Sequence, residues 1–341
     1  MTKPSILITA RFDPAIADQL HARADISLHD WAKSGRYKET GELASALKGK
    51  RILVTEIDQV NDALLAAAPD VRIVITCRGN PVNLDIPACT RRGVLALNTP
   101  GRNAEAVADL TIAYILACAR HVVTSANYVA QGGWTSHQQQ IQGQSVFFRF
   151  HGVDMDTATV GLVGLGAVGR GVAKRLQGFG TRVLAVDPYI KPEVAKQASV
   201  TLVDLPTLLR ESDFVSMHVH VTKETKGMIG AAQFALMKPT AYLINTARSG
   251  AVDQDAMVAA LREKRIAGAA LDVFDTEPLA ADSPIRKLDN VIITPHVGGA
   301  TPGIIKVQSR VVAGQLAAIL DGREPPHMLN PEVAKAALRA R

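Results

Sequence analysis

The chain is expected to be an α/β protein with two doubly wound parallel sheets. Three observations lead there. Short β-branched and apolar runs alternate with helical patterns twice, once over the first hundred residues and again from Thr157 onward. The length, 341 residues, fits about two domains. A glycine-rich turn stands between the first strand and first helix of the second series. Strands that alternate with helices imply parallel sheets covered on both faces.

In the first series, Ser5–Thr9, Arg51–Thr55, Arg72–Thr76 and Val94–Leu97 read as strands, with helices over Pro14–Arg23 and Val60–Ala68. Residues 103–126 read as one long helix, apolar on nearly every face, so it must be buried all round. It sits either in the core of one chain or at an interface between domains or subunits. A polar stretch, TSHQQQIQGQ, follows Gly132–Gly133. In the second series, strands are expected at Thr157–Val163, Thr181–Val186, Phe214–His218, Ala241–Asn245, Ile266–Leu271 and Val291–Ile293. Helices are expected at Val168–Gln177, Asp204–Arg210, Ala231–Met237 and Gln254–Lys264, with a last one near Thr301–Leu320.

Composition excludes several classes. Apolar residues make up 47% and charged residues 21%, which is neither a disordered nor a collagenous chain. No wholly apolar run reaches the roughly 18 residues of a membrane span, and the N-terminus lacks the apolar core of a secretory signal. A cytoplasmic protein without membrane contact is expected. The net charge is +6, yet aromatics are only 4%, too few for a base-stacking surface, so no nucleic-acid partner is expected. Cys77, Cys89 and Cys118 form no CxxC pair and read as buried thiols. His218 and His220 share one face of a strand, but no third ligand is evident and no metal site is expected.

The turn Gly164-Leu-Gly166-Ala167-Val168-Gly169 lies between a strand and a helix, with Asp187 at the end of the next strand. The first glycine permits the tight turn, the second lets backbone approach a pyrophosphate, and the third lets helix pack on strand. The helix N-terminus then faces the negative charge. Asp187 can accept both ribose hydroxyls of an adenosine and would repel a 2′-phosphate. NAD rather than NADP is therefore the expected cofactor.

Three more segments each follow a predicted strand: Asn245-Thr246-Ala247-Arg248-Ser249-Gly250, Leu271-Asp272-Val273-Phe274-Asp275-Thr276-Glu277-Pro278, and Thr294-Pro295-His296-Val297-Gly298-Gly299. Ligands of open parallel sheets bind at the carboxyl ends of strands. Arg248, Glu277 and His296 can therefore converge where the dinucleotide binds. Arg248 offers a planar fork for a carboxylate. His296 suits proton donation near neutrality. Glu277 would orient its ring and favour the charged form.

With these motifs in this order, the chain resembles the D-isomer-specific 2-hydroxyacid dehydrogenase family, in the branch with 3-phosphoglycerate dehydrogenase and glyoxylate/hydroxypyruvate reductases. The likeness runs from about Val74 to Thr301. It includes Asn98-Thr-Pro-Gly-Arg-Asn-Ala-Glu-Ala-Val-Ala-Asp109, with Asp109 where the family often has Glu. The resemblance implies a Rossmann-type NAD domain (103–302) inserted into a flavodoxin-like substrate domain made of 1–102 and a returning C-terminal helix in 303–341. It implies a homodimer with the 103–126 helix at its centre. It further implies cofactor contacts at Thr222, Thr246, Ala247, Asp272, Gly298 and Gly299, with Asp272 accepting from the nicotinamide carboxamide.

The loop Cys77-Arg78-Gly79-Asn80-Pro81 stands where the family meets the substrate carboxylate through backbone amides. Arg78 and Pro81 depart from its usual glycine-rich pattern, and Arg78 offers a cation for a second anionic group. His220 departs too, at a position where the family usually has Pro. The expected partner is thus a small anionic 2-hydroxy or 2-oxo acid. Formate dehydrogenases are disfavoured because that branch replaces Glu277 with Gln. With the sequence stopping at Arg341, serine feedback through the C-terminal regulatory domain that many phosphoglycerate dehydrogenases carry is not expected. A different class, an NAD(H)-sensing corepressor-like binding protein, can keep the same triad, but such proteins typically carry partner-binding extensions.

Overall fold

The computed structural model describes residues 3–35, 38–135 and 145–339. Most of the polar stretch after Gly133, residues 136–144, lies outside them. The chain divides into two compact units, Met1–Asn103 with Thr301–Arg341, and Ala104–Ala300.

The first unit holds five parallel strands: β1 (Ser5–Ile8), β2 (Asp25–Leu28), β3 (Ile52–Thr55), β4 (Ile73–Thr76) and β5 (Leu95–Leu97). Their order is β2-β1-β3-β4-β5, the flavodoxin-like arrangement with its reversal between β1 and β3. Side chains alternate between two cores: Ile52 and Val54 go to one, Leu53 to the other. Sheets covered on both faces need such continuous apolar runs. β2 escaped the sequence reading because it is an edge strand in which only Ile26 is buried. Asp13 opens the helix Pro14–His21 by accepting from the Ile16 amide.

Helix Gly303–Asp321 belongs to this first unit. By length and composition it is apolar enough to cross a membrane, and the helices Ala104–Ala119 and Val122–Ala130 taken together pass the same test. This revises the reading by apolar runs, since Lys306 and Arg310 interrupt the sequence without lowering its mean enough. Its Val312, Leu316 and Ile319 pack into the core beneath β1 and β3.

The second unit holds seven parallel strands: β6 (Thr159–Val163), β7 (Arg182–Val186), β8 (Thr201–Leu202), β9 (Phe214–Met217), β10 (Tyr242–Asn245), β11 (Gly268–Leu271) and β12 (Val291–Ile293). Their order, β12-β11-β10-β9-β6-β7-β8, is that of a dinucleotide-binding sheet with one added strand, and its switch point lies between β6 and β9. The register puts the residues after β6, β7, β9, β10, β11 and β12 along one carboxyl edge.

The single helix expected over 103–126 is two helices, Ala104–Ala119 and Val122–Ala130, bent by 62°. The cause lies in the backbone. His121 takes a left-handed φ of 51°, and the Ala119 carbonyl accepts from the Val153 amide at 2.9 Å instead of from the next turn. A side chain at Gly152 would lie 2.4 Å from that carbonyl, so glycine permits the approach.

Ten of the sixteen residues of Ala104–Ala119 are buried, so its all-round apolarity is accounted for by its own chain. The helix is seated on Ala167–Leu176, where Gly171 faces Ala108 and Arg175 pairs with Glu105 and Asp109 at 2.9 and 2.7 Å. The expected helix Ala231–Met237 closes early, at Phe234.

Candidate active site

Each glycine of the turn after β6 does a different job. Gly164 has φ of 100°, and a Cβ there would lie 2.8 Å from the His218 carbonyl oxygen. A Cβ on Gly169 would lie 2.4 Å from the Gly164 carbonyl. A Cβ on Gly166 would meet nothing within 4 Å, so its smallness answers no need of the fold itself. That open space faces the start of helix Ala167–Leu176, whose cap residue Gly166 gives no side-chain acceptor. The first-turn amides of Ala167 and Val168 remain for an anion.

Asp187 sits at the end of β7. Its Oδ2 accepts from the Leu165 amide at 2.8 Å and its Oδ1 from Tyr189 at 3.0 Å, leaving a further acceptor position on each oxygen. Beside the turn, His218 pairs through Nε2 with Ser216 Oγ at 3.0 Å, and its Nδ1 is buried without a partner. Burial pushes this imidazole down to about 4. His220 is exposed. The open space at Gly166, the free amides, Asp187 and the orphaned His218 nitrogen fit a dinucleotide.

After β10, the buried Asn245 explains its own residue type. Its Oδ1 accepts from the Ala247 amide at 3.0 Å and its Nδ2 donates to the Arg248 carbonyl at 3.0 Å, closing the turn. Arg248 is exposed. Its Nη1 donates to the Ala247 carbonyl at 2.6 Å, and among the described residues no carboxylate forms an ion pair with it. Thr246 Oγ1 meets Thr111 Oγ1 at 2.8 Å. Thr222 lies in an exposed loop and turns its hydroxyl to Glu224 at 2.7 Å.

Glu277 and His296 are brought together, with Oε2 2.7 Å from Nδ1, while Glu277 Oε1 accepts from the Phe274 amide at 3.0 Å. Burial raises the Glu277 carboxyl. The hydrogen bonds from His296 and Phe274 and the nearby charges of His296 and Arg248 outweigh it, so the group sits below its ordinary range. His296 takes a left-handed φ of 54°, uncommon for a residue other than glycine.

The loop after β12 is fixed by Asp272, whose carboxylate is almost wholly buried. Oδ1 accepts from Thr294 Oγ1 and, at 2.8 Å, from the Val297 amide, and Oδ2 accepts from the Gly298 amide at 2.7 Å. Protein donors thus take three of its acceptor positions, and one on Oδ2 remains for any ligand. Gly298 is buried, and a Cβ there would press on Asp272 Oδ2 at 3.0 Å. Gly299 is half-buried in the turn beyond.

Arg78, Gly79 and Asn80 lie in the first unit, after β4. The Arg78 carbonyl accepts from the Thr99 amide and the Gly79 carbonyl from Asn98 Nδ2. Asn80 is exposed. The Arg78 guanidinium is half-buried and makes no hydrogen bond among the described residues. Burial and the charge of Arg102 push it down, with Glu56 opposing.

The sequence reading missed what surrounds it. At the β1/β3 reversal, the buried Glu56 accepts from Arg11 at 2.7 Å, Arg102 at 2.8 Å and Trp31 Nε1 at 3.0 Å. Burial raises Glu56, but these three hydrogen bonds hold it at about 2. Nothing local in the sequence links residues 11, 31, 56 and 102.

The second unit is therefore a dinucleotide-binding domain with an Arg, a Glu–His pair and an anion turn on one strand edge. A family profile for the D-isomer specific 2-hydroxyacid dehydrogenase NAD-binding domain matches residues 112–298. The chain is 41% identical over 280 residues to a glyoxylate reductase of Korarchaeum cryptofilum (strain OPF8), covering 82% of each chain. It is 37% identical over 332 residues to that of Thermococcus litoralis (strain ATCC 51850 / DSM 5473 / JCM 8560 / NS-C), covering 97% of this chain and 98% of the relative. A solved structure from Thermus thermophilus superposes with a TM-score of 0.75 at 34% identity, over 95% of this chain and 99% of that one. The chain belongs to the D-isomer specific 2-hydroxyacid dehydrogenase family and is an NAD-dependent dehydrogenase.

Proposed function

We propose that this chain reduces small 2-oxo acids to D-2-hydroxy acids, glyoxylate among them, with NADH as the preferred donor. The observation that carries the reading is the 2.7 Å Glu277–His296 pair on the same strand edge as the Gly164–Gly169 turn. In this reading NADH, when bound, supplies hydride to the carbonyl carbon. The amides of Ala167, Val168 and Gly169 hold the pyrophosphate and Asp187 the adenosine ribose. Thr222, Thr246, Ala247, Gly298 and Gly299 line the cofactor, and the open Oδ2 position of Asp272 accepts from the carboxamide.

Arg248 binds the substrate carboxylate through two parallel N–H donors. His296 Nε2 hydrogen-bonds the carbonyl oxygen and delivers its proton as the alcohol forms, while Glu277 holds Nδ1 and compensates the positive ring. The first unit is the substrate domain, where Gly79 and Asn80 offer backbone amides and Arg78 reads a second anionic group. The curated glyoxylate reductases among the relatives support a small 2-oxo acid. The phosphoglycerate dehydrogenase-like alternative rests on Arg78.

A panel of 2-oxo acids followed by NADH absorbance separates the two. Arg78→Ala is expected to lower kcat/KM for a phosphorylated 2-oxo acid by roughly 10–150-fold, the worth of one charge-assisted hydrogen bond. Glyoxylate, with no distal charge, should be nearly unaffected. NADPH should serve poorly, and Asp187→Ala should narrow that gap. No turnover of any 2-oxo acid with either cofactor would overturn the function. Equal turnover with NADH and NADPH would overturn the role of Asp187, and an Arg78 variant unchanged on both acids would remove the second-anion site.

The same reading includes a homodimer, with its apolar contact moved from the buried helix to the segment beyond it. Val122, Val129, Trp134, Phe147 and Phe148 are each more than half exposed. A concavity of about 450 Å³ is lined by Cys118, His121, Val123, Asn127 and Tyr242, next in sequence to Val122. Exposed large apolar side chains, such as the adjacent Phe147–Phe148 pair, suit an association surface. Sedimentation at micromolar concentration should give a dimer, and Phe147→Ser with Phe148→Ser should shift it toward monomer. A wild-type monomer would contradict this.

A further inference from the structure

Helix Ala104–Ala119 carries two hydroxyl groups, Thr111 and Tyr114, at a spacing of three residues. Residues so spaced share a helix face. Each meets a different loop of the site. Thr111 Oγ1 donates to the Val107 carbonyl at 2.8 Å, so it receives the proton of the Thr246 hydroxyl at 2.8 Å. Thr246 is two residues before Arg248. Tyr114 Oη meets Thr294 Oγ1, and Thr294 donates onward to Asp272 Oδ1. An ionised carboxylate only accepts, so the direction of this chain is fixed: Tyr114 to Thr294 to Asp272. Asp272 in turn holds the amides of Val297 and Gly298, immediately beyond His296.

We infer that Thr111 and Tyr114 are positioning residues: a two-hydroxyl rail on one helix face that sets the Arg248 loop and the His296 loop relative to one another. The inference rests on the dehydrogenase reading for its kinetic consequences but not for its geometry. Three further facts support it. Thr111, Thr246 and Asp272 are buried, so each hydrogen bond lost would leave a group without water to replace it. His296 holds a left-handed backbone conformation, which persists only when its surroundings over-determine it. Burial, partly opposed by the bond to Thr294, pushes the Tyr114 phenol up to about 12, so it remains a donor at every working pH. The helix packs by its buried residues and brings Ala108 against Gly171 of Ala167–Leu176, which gives the rail its base.

The rail acts on two loops with different duties, so its two halves should have different kinetic signatures. Tyr114→Phe keeps the ring and removes one hydrogen bond. It should lower kcat for 2-oxo acid reduction roughly 3–10-fold, with KM and the NADH Kd within about twofold. Thr111→Val should raise KM for the 2-oxo acid by a similar factor, with a smaller change in kcat, and Thr111→Ser should restore it. Equal losses in kcat and NADH binding, or an unrescued Thr111 variant, would mean that the residues only support packing.

A second readout needs no turnover. Hydrogen–deuterium exchange of the peptide spanning 294–299 should speed up in Tyr114→Phe and stay unchanged in Thr111→Val. Unchanged exchange in Tyr114→Phe would overturn the inference even if the enzyme is active. Faster exchange in an enzyme that reduces no 2-oxo acid would uphold the rail and reject the substrate reading instead.

Discussion

His296→Ala is expected to reduce kcat for 2-oxo acid reduction by about 10²–10⁴-fold, the usual worth of a positioned general acid, while the NADH Kd changes by less than about twofold. The separation follows from the geometry. The dinucleotide turn, Asp187 and the helix beginning at Ala167 are built without His296. The imidazole instead hangs from a loop held by Asp272 and from Glu277 Oε2. Glu277→Gln supplies the pH test. In the wild-type chain the carboxyl lies below its ordinary range, so its support of the imidazole is present above that range and lost only as pH falls through the lowered value. Replacing it removes the ionised acceptor that holds Nδ1. The acid limb of the kcat/KM profile for reduction that this carboxyl sets, below the ordinary carboxyl range, should therefore disappear. A His296→Ala enzyme with near-wild-type kcat would reject the assignment, and a retained acid limb in Glu277→Gln would detach Glu277 from it.

The second large effect is expected at Arg248. Its guanidinium is exposed and, among the described residues, donates to its neighbour's carbonyl alone, at 2.6 Å, so most of its donors are free for a ligand. Two charge-assisted hydrogen bonds at about 1.5–3 kcal/mol each amount to about 10²–10⁴-fold in kcat/KM. The loss in Arg248→Ala should appear in both KM and kcat, because the carboxylate is held in the ground state and in the transition state. Arg248→Lys keeps the charge but not the planar fork and should recover only part of it. Steady-state kinetics with glyoxylate measures both, and a kcat/KM within about threefold of wild type would rule out the carboxylate anchor.

Much of this arrangement is legible in the sequence because its signals are local. The three glycines of the turn, the strand-terminal Asp187 and the segments holding Arg248, Glu277 and His296 each carry their geometry within a few residues. The strands with continuous apolar runs, such as Ile52–Thr55 and Thr159–Val163, are equally plain. What escaped depends on distant partners. The break at His121 is made by Val153 and Gly152, thirty residues on, which take the carbonyl that would have continued the helix. β2 is an edge strand with only Ile26 buried, and β8 is two residues long, so neither shows an apolar run. Asp272 reads as a cofactor contact in its motif, yet most of its acceptor capacity goes to Thr294, Val297 and Gly298. The partner at the far end of that chain, Tyr114, is 158 residues upstream.

The route of the backbone has a consequence for the order of events during synthesis. The dinucleotide unit is one continuous stretch, Ala104–Ala300, whereas the first sheet shares its unit with Thr301–Arg341. The late segment supplies Val312, Leu316 and Ile319 to that sheet's core, and Asn330 Oδ1 accepts from the Ala96 amide within β5. The N-terminal strands leave the ribosome first but cannot bury this face until some two hundred further residues have been made. At about 5–20 residues per second, they wait on the order of ten seconds or more with an apolar surface uncovered. The unit translated second is thus the one able to finish first.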